Sequence, residues 1–371
     1  MKRIALLLAL TFAFPAHAIE TAAKQAIVVE DSTGTVLFTK DADAKMHPSS
    51  MSKLMTVYIT FSKLKEGSLK LTDMLPVSEK AWRTQGSKTF VELGSRIAVG
   101  DLLEGIIIQS GNDACVVMAE ALAGSEEAFA GQMNDMAKRL GLTNSHFANA
   151  TGLPDDTHLM SARDLSILAT HIIHDFPEYY HYFSQKEFEH HGIKQGNRNL
   201  LLYRDSSVDG LKTGHTDAGG FGMVASAKNN TGRRIIVVVN GLENEKDRAE
   251  EAERLLAFAF RDFESVTLLK AGVVLDKADV WFGDQPQVGL TVDKDLMLTL
   301  PKAGRGALKF TLNYDGPIPA PIAAGDAVAK LTIESAGAPP QTVPLVAAEA
   351  VERQHGFARM FHVLRYYAMG Q

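Results

Sequence analysis

Cysteine is almost missing: Cys115 is the only one in 371 residues. An internal disulfide is therefore excluded, and the thiol reads as a small buried hydrophobe. A large excess of charge of either sign is also missing. The formal net charge is -6, without the basic excess that nucleic-acid binding demands, so no nucleic-acid partner is expected. The nearly apolar run Ile4 to Phe14 is too short to cross a bilayer. Metal-ligand spacing is missing as well. His171 and His174 share a predicted helix, and His190 and His191 follow Glu189, but no third ligand recurs at zinc spacing. No metal and no cofactor are expected. The chain carries no internal repeat and no low-complexity linker.

The composition is 46% hydrophobic and 22% charged over a length that fits two domains, so a large core is available. The first residues stand apart from the fold. Met1-Lys2-Arg3 is positive, Ile4 to Phe14 is apolar, and Ala16-His17-Ala18 is a small-x-small cleavage site. Residues 1–18 thus read as a secretory signal, with the mature chain starting near Ile19.

Two apolar runs, Ile27 to Glu30 and Thr35 to Phe38, flank Asp31-Ser32-Thr33-Gly34 and predict a hairpin. A helix is predicted from near Ser50 to Gly67, with Leu54, Met55, Tyr58 and Phe61 as its apolar stripe. Asp101 to Ile108 predicts a second helix, broken at Ser110-Gly111-Asn112 and resumed to Leu122. Ser125 caps a third, which ends before Gly141, and Ser161 with Asp164 opens another at capping-box spacing. A hairpin from Gly222 to Asn240 and a helix from Arg248 to Phe260 follow. After about Glu264, short apolar runs alternate with Gly, Pro and Asp turns, which predicts a small β-rich domain over 265–351. The last segment, 352–371, places Phe357, Met360, Phe361 and Leu364 at helical spacing, with Arg359, His362 and Arg365 largely opposite. That pattern suits a helix lying in a membrane interface, with docking on the β domain as the alternative.

The stretch PSSMSKLMT begins at Pro48 and puts Ser49, Ser50 and Ser52 at a helix start. Capping is one reason for such serines. Chemistry is the other: Ser50 and Lys53 share a helix face, and a serine beside an amine that can lose its proton is an activated nucleophile. Spacing alone is weak, because Ser62-Lys63-Leu64-Lys65 repeats it near the polar end of the same helix, where it reads as solvated surface. Two further tripeptides strengthen the case. Ser110-Gly111-Asn112 can point a hydroxyl and an amide into a cleft. Lys212-Thr213-Gly214 precedes a hairpin, and its glycine lets a ligand approach the strand.

These three motifs, in this order, are those of penicillin-binding proteins and serine β-lactamases, with Gly in place of Asp in the middle one. The chain resembles the low-molecular-mass D-alanyl-D-alanine carboxypeptidases of the penicillin-binding protein 5 type. The stretches QSGNDAC, GNRN, VDGLKTGHTDAGG and VWFGD carry the likeness along nearly the whole mature chain, and Ser-Gly-Asn is that subfamily's own variant. The resemblance implies an α/β (α+β) fold of the serine β-lactamase and penicillin-binding transpeptidase type. Its antiparallel sheet is flanked by helices over 19–264, and a small C-terminal β domain follows.

The resemblance also implies roles. Ser50 attacks the penultimate carbonyl of a peptidoglycan pentapeptide, and β-lactams acylate the same serine. Lys53 is the base, lowered by burial and by Lys212 as a second cation. Ser110 relays a proton to the leaving nitrogen. Asn112 holds the substrate backbone or orients Lys53. Lys212 and Thr213 take the terminal carboxylate, assisted by Arg198 and Arg248, although Arg248 also reads as a surface helix residue. Backbone N–H groups of Ser50 and His215 form the oxyanion hole; the side chain of His215 lies near the cleft beside Gly214. His158 and Asp164 read as structural. The region 150–156 contains no glutamate to activate a deacylating water, which predicts a long-lived penicillin adduct. The resemblance places the protein on the periplasmic side of the inner membrane. The alternatives are a D,D-endopeptidase or β-lactamase on the same scaffold, or a silent peptidoglycan-binding receptor.

Overall fold

A computed structural model of the chain describes residues 19–302, 308–335 and 338–354. The signal segment at 1–18 and the amphipathic segment around Phe357 to Arg365 lie outside the described residues.

Two N-terminal strands, β1 (Gln25–Glu30) and β2 (Val36–Lys40), form the expected hairpin. Three later strands, β3 (Val208–Thr216), β4 (Gly220–Lys228) and β5 (Arg234–Leu242), complete a five-stranded sheet in the order β2-β1-β5-β4-β3. All four pairings are antiparallel. The central strands are apolar on both faces, and alternation sorts their side chains between two cores. Ile27, Val224, Ile236 and Val238 join one core. Val28, Met223, Ala225, Val237 and Val239 join the other.

The first core is built by five helices: α1 (Lys53–Lys65), α2 (Val99–Ile108), α3 (Asn112–Ala123), α4 (Glu126–Arg139) and α5 (Ala162–Asp175). Ten of the thirteen residues of α1 are buried, so it is a central helix rather than a half-wet one. The second core lies under α6 (Glu245–Asp262), through Ala249, Ala252, Leu255, Leu256 and Ala259. The caps at Ser125 and Ser161 are made as expected, each side chain accepting a backbone N–H three residues on. Only half of a capping box forms at α5. The Asp164 carboxylate turns away to accept from the Asn144 N–H at 2.8 Å and the Ser145 hydroxyl at 2.7 Å.

At Phe263 the chain leaves α6 for a β-rich unit with a third core of its own. The unit is pinned to the first sheet. Arg233 bonds the fully buried Glu30 at 2.6 Å and the Phe263 carbonyl at 2.7 Å, and the Thr33 and Thr299 hydroxyls meet at 2.7 Å.

Candidate active site

Ser50 lies in a 3-10 turn, Ser49–Ser52, that leads into α1. No serine side chain caps either helical start. The hydroxyls serve other partners: Ser49 Oγ meets Thr216 Oγ1 at 2.7 Å, and Ser52 Oγ donates to the Ser49 carbonyl at 3.0 Å. Ser50 Oγ receives Lys53 Nζ at 2.8 Å. Of the two reasons for a serine-rich start, the geometry supports chemistry over capping.

Lys53 is completely buried. Its amine also donates to the Thr151 carbonyl, a partner the sequence reading missed because a backbone oxygen has no residue signature. The loop that brings Thr151 in is an Asx turn, with Asn149 Oδ1 accepting the N–H groups of Thr151 and Gly152. Gly152 has φ +76°, and a Cβ there would sit 2.0 Å from the Ser49 carbonyl oxygen. Glycine is what lets this loop press on the serine-bearing turn. Burial, first of all, lowers the Lys53 amine to about 8, and Arg198 adds to the effect against Cys115 and Asp113. Cys115 itself is buried and pushed up to about 12, so it is a neutral thiol at ordinary pH.

Lys212 is buried too, and donates to the Thr213 carbonyl at 3.0 Å. Burial and then the charge of Lys53 hold it well below the usual lysine value. This corrects one expectation. Two amines confined together cannot both stay charged cheaply, and here the charge of Lys53 presses on Lys212, while Arg198 is the cation that depresses Lys53. A second correction concerns Gly214. A Cβ at Gly214 would lie 2.9 Å from the Pro48 carbonyl and 3.2 Å from the Met51 nitrogen. The close approach that Gly214 permits is thus that of the Ser50 turn onto β3. Thr213 is buried beside it; His215 is exposed, its ring stacked on Phe221 at 3.8 Å.

The opposite wall is built around the middle motif. Ser110 has φ +64°, unusual for a residue with a side chain, and its buried hydroxyl makes no hydrogen bond among the described groups. Gly111 lets Thr89 close in, since a Cβ there would meet Thr89 Oγ1 at 2.0 Å. Asn112 binds away from Lys53: its N–H donates to the Ser87 carbonyl and its side-chain amide to the Gln85 carbonyl, both at 2.7 Å. The alternative in which it orients Lys53 is not what the structure shows. Asp113 accepts the N–H groups of Thr89, Phe90, Val91 and Ala114. That carboxylate fixes the wall and was not singled out from the sequence.

Arg198 donates to Ser87 Oγ at 2.7 Å and Gln109 Oε1 at 3.1 Å. Arg248 is only 2% exposed, which overturns the surface reading. Its guanidinium reaches the Arg198 carbonyl at 3.3 Å and lies 5.8 Å over Phe221. The other candidates behave structurally. His158 is buried and lowered by that burial to about 4, and Asp164 braces the Asn144 turn. His171 and His174 pair with Asp175 and Asp31; His190 and His191 face Asp101 and Glu92. Among the described residues no three such side chains converge as metal ligands.

Residues 12–243 match the family described as D-alanyl-D-alanine carboxypeptidase, peptidase S11, and residues 263–353 match the penicillin-binding protein 5 C-terminal domain. The chain is 38% identical to the D-alanyl-D-alanine carboxypeptidase DacA of Escherichia coli, over 98% of this chain and 96% of the relative. A D-alanyl-D-alanine endopeptidase of Pseudomonas aeruginosa is 28% identical over 60% of this chain and 72% of its own. Crystallised penicillin-binding protein 5 from Haemophilus influenzae superposes with a TM-score of 0.84 at 35% identity, over 90% of this chain and 99% of that one. A serine bonded to a buried lysine, on this fold and with these relatives, places the chain in the D-alanyl-D-alanine carboxypeptidase family, peptidase S11, with the penicillin-binding protein 5 type of C-terminal domain.

Proposed function

We propose that Ser50 is the nucleophile of a serine D,D-carboxypeptidase that removes the terminal D-alanine from peptidoglycan pentapeptides. The observation that carries this is the 2.8 Å contact between Ser50 Oγ and a fully buried Lys53 amine. In its neutral form that amine accepts the serine proton as Oγ attacks the penultimate carbonyl. Backbone N–H groups of Ser50 and His215 receive the oxyanion. The tetrahedral adduct expels the terminal D-alanine, whose nitrogen takes a proton through Ser110; water then hydrolyses the ester. The unpartnered hydroxyl of Ser110 supports this relay. Asn112 holds the peptide backbone. Lys212 and Thr213 bind the substrate carboxylate, whose charge favours the ammonium form of Lys212, and Arg198 and Arg248 add positive field.

β-Lactams enter the same path and stop at the ester. The loop 150–156 is occupied in holding Lys53 and offers no glutamate to drive hydrolysis. Incubation with a free pentapeptide is expected to release D-alanine, and penicillin to leave a mass adduct that persists far longer than the peptide ester. Splitting of cross-linked dimers without D-alanine release would replace this reading by the endopeptidase one. Rapid penicillin turnover would replace it by a β-lactamase, and absence of any adduct by a silent receptor.

Residues 19–264 act in this reading as the peptidase domain and 265–351 as the β domain. Residues 1–18 export the chain, and 352–371 hold it peripherally on the periplasmic face of the inner membrane. The basic, amphipathic pattern of that last segment supports it. Truncation before Phe357 is expected to move the protein from the membrane to the soluble fraction with its penicillin labelling intact. Full-length protein already soluble in cell extracts would end the anchor idea.

A further inference from the structure

Ser49 stands immediately before the nucleophile in a backbone conformation that a residue with a side chain rarely takes, φ +49°. Such a residue persists only where its surroundings hold it. Here its neighbours do. Its carbonyl accepts the Ser52 hydroxyl at 3.0 Å, Gly152 presses on the same carbonyl, and its own hydroxyl meets Thr216 Oγ1 at 2.7 Å. Thr216 is the last residue of β3 and directly follows His215. Its Oγ1 also accepts the Gly219 N–H at 3.1 Å, which folds the β3–β4 turn back over the Ser50 turn. Gly219 is buried there, and a Cβ on it would lie 2.6 Å from the His47 carbonyl oxygen and 2.7 Å from Ser49 Oγ.

The chain positions of the two hydroxyls give the contact its meaning. Ser49 precedes one proposed oxyanion donor, the Ser50 N–H, and Thr216 follows the other, the His215 N–H. A trans peptide is planar, with its carbonyl and its N–H pointing opposite ways. The bonds that hold the Ser49 carbonyl therefore also aim the Ser50 N–H. The two donors sit on separate segments, and the hydroxyl contact joins those segments across 167 residues of chain. We propose that the Ser49–Thr216 hydroxyl pair is a clasp that sets the spacing of the two oxyanion donors, so that both N–H groups reach one developing negative oxygen. Ser49 and Thr216 are positioning residues, each acting through the backbone beside it. The inference rests on the Ser50 acyl-transfer reading and adds to it what fixes the oxyanion site.

The test follows acylation of the full chain by penicillin over a range of concentrations, which separates the limiting rate constant from the half-saturating concentration. Outright loss of one oxyanion donor costs about a hundredfold or more, and a donor displaced by a fraction of an ångström should cost about tenfold. Ser49→Ala and Thr216→Val are each expected to lower the limiting rate constant by about tenfold while the half-saturating concentration stays within about twofold, the mark of an interaction made in the transition state. The pH midpoint of acylation should not move, because the Lys53 contacts are left intact. The double variant should be no slower than Thr216→Val alone, since the two hydroxyls form one contact. Thr216→Ser keeps the hydroxyl and should recover most of the rate. If a melting curve shows Ser49→Ala unfolded, Thr216→Val against Thr216→Ser decides alone. A limiting rate unchanged in Ser49→Ala, losses that multiply in the double variant, or Thr216→Ser as slow as Thr216→Val would overturn the clasp. Absence of any penicillin adduct on the unaltered protein would instead overturn the acyl-transfer reading, and the clasp with it.

Discussion

Ser50→Ala is expected to cut D-alanine release from a pentapeptide by about 10⁴-fold or more, the scale seen when a covalent nucleophile is removed. The intact mass should then show no penicillin adduct, whereas the unaltered protein gains one penicillin mass that maps to the peptide containing Ser50. The change removes one oxygen from a half-buried position, and the turn keeps its other ties through Ser49 and Ser52. Folding should therefore survive, which a melting curve checks. An adduct retained on the alanine variant would move the nucleophile elsewhere and end the proposed chemistry.

Lys53→Met carries the second large effect. Methionine fills the buried channel without an amine, so acylation by penicillin should slow by roughly 10³-fold, within the range for loss of a positioned general base. Burial of an uncharged side chain costs less than burial of an ammonium, so thermal stability should hold or rise. In the unaltered enzyme the sign of the pH response follows from the lowered amine. Only the neutral form accepts the serine proton, and it prevails above about 8 instead of above the ordinary lysine value. The acylation rate should climb about tenfold per pH unit below that point and flatten above it. Arg198→Gln removes the cation that assists burial, so the midpoint should move upward. A flat profile from mildly acid to mildly alkaline pH, or full acylation by Lys53→Met, would contradict a neutral lysine base.

Much of the fold is local and was legible. The turn Asp31-Ser32-Thr33-Gly34, the caps at Ser125 and Ser161 and the glycine stop at Gly67 each act over a few residues, and each stands where the sequence puts it. The spacing of Ser50 and Lys53 was legible too, but Ser62 and Lys65 share it and do something else. Ser62 Oγ donates to the Tyr58 carbonyl at 2.9 Å, and Lys65 reaches out to the Asp175 carbonyl. Burial and the partner across the cleft separate the two copies, and neither is written in a four-residue window.

What escaped the sequence reading acts over long separations or through the backbone. The Thr151 carbonyl that holds Lys53 is 98 residues away. Asp113 gathers N–H groups more than twenty residues upstream. The burial of Arg248 depends on Phe221 and the Arg198 carbonyl, so a charged residue near the start of a helix gave no sign of it. The serine-rich start was ambiguous for a related reason: caps and nucleophiles favour the same residue type.

The pinned joint among Glu30, Arg233 and Phe263, with Thr33 against Thr299, has a mechanical meaning. Side chains on both parts of the chain share its bonds, so the C-terminal unit behaves as a lever arm and not as a loose tether. A hold on the far end of that arm would be transmitted through this joint to the sheet against which the Ser50 turn packs.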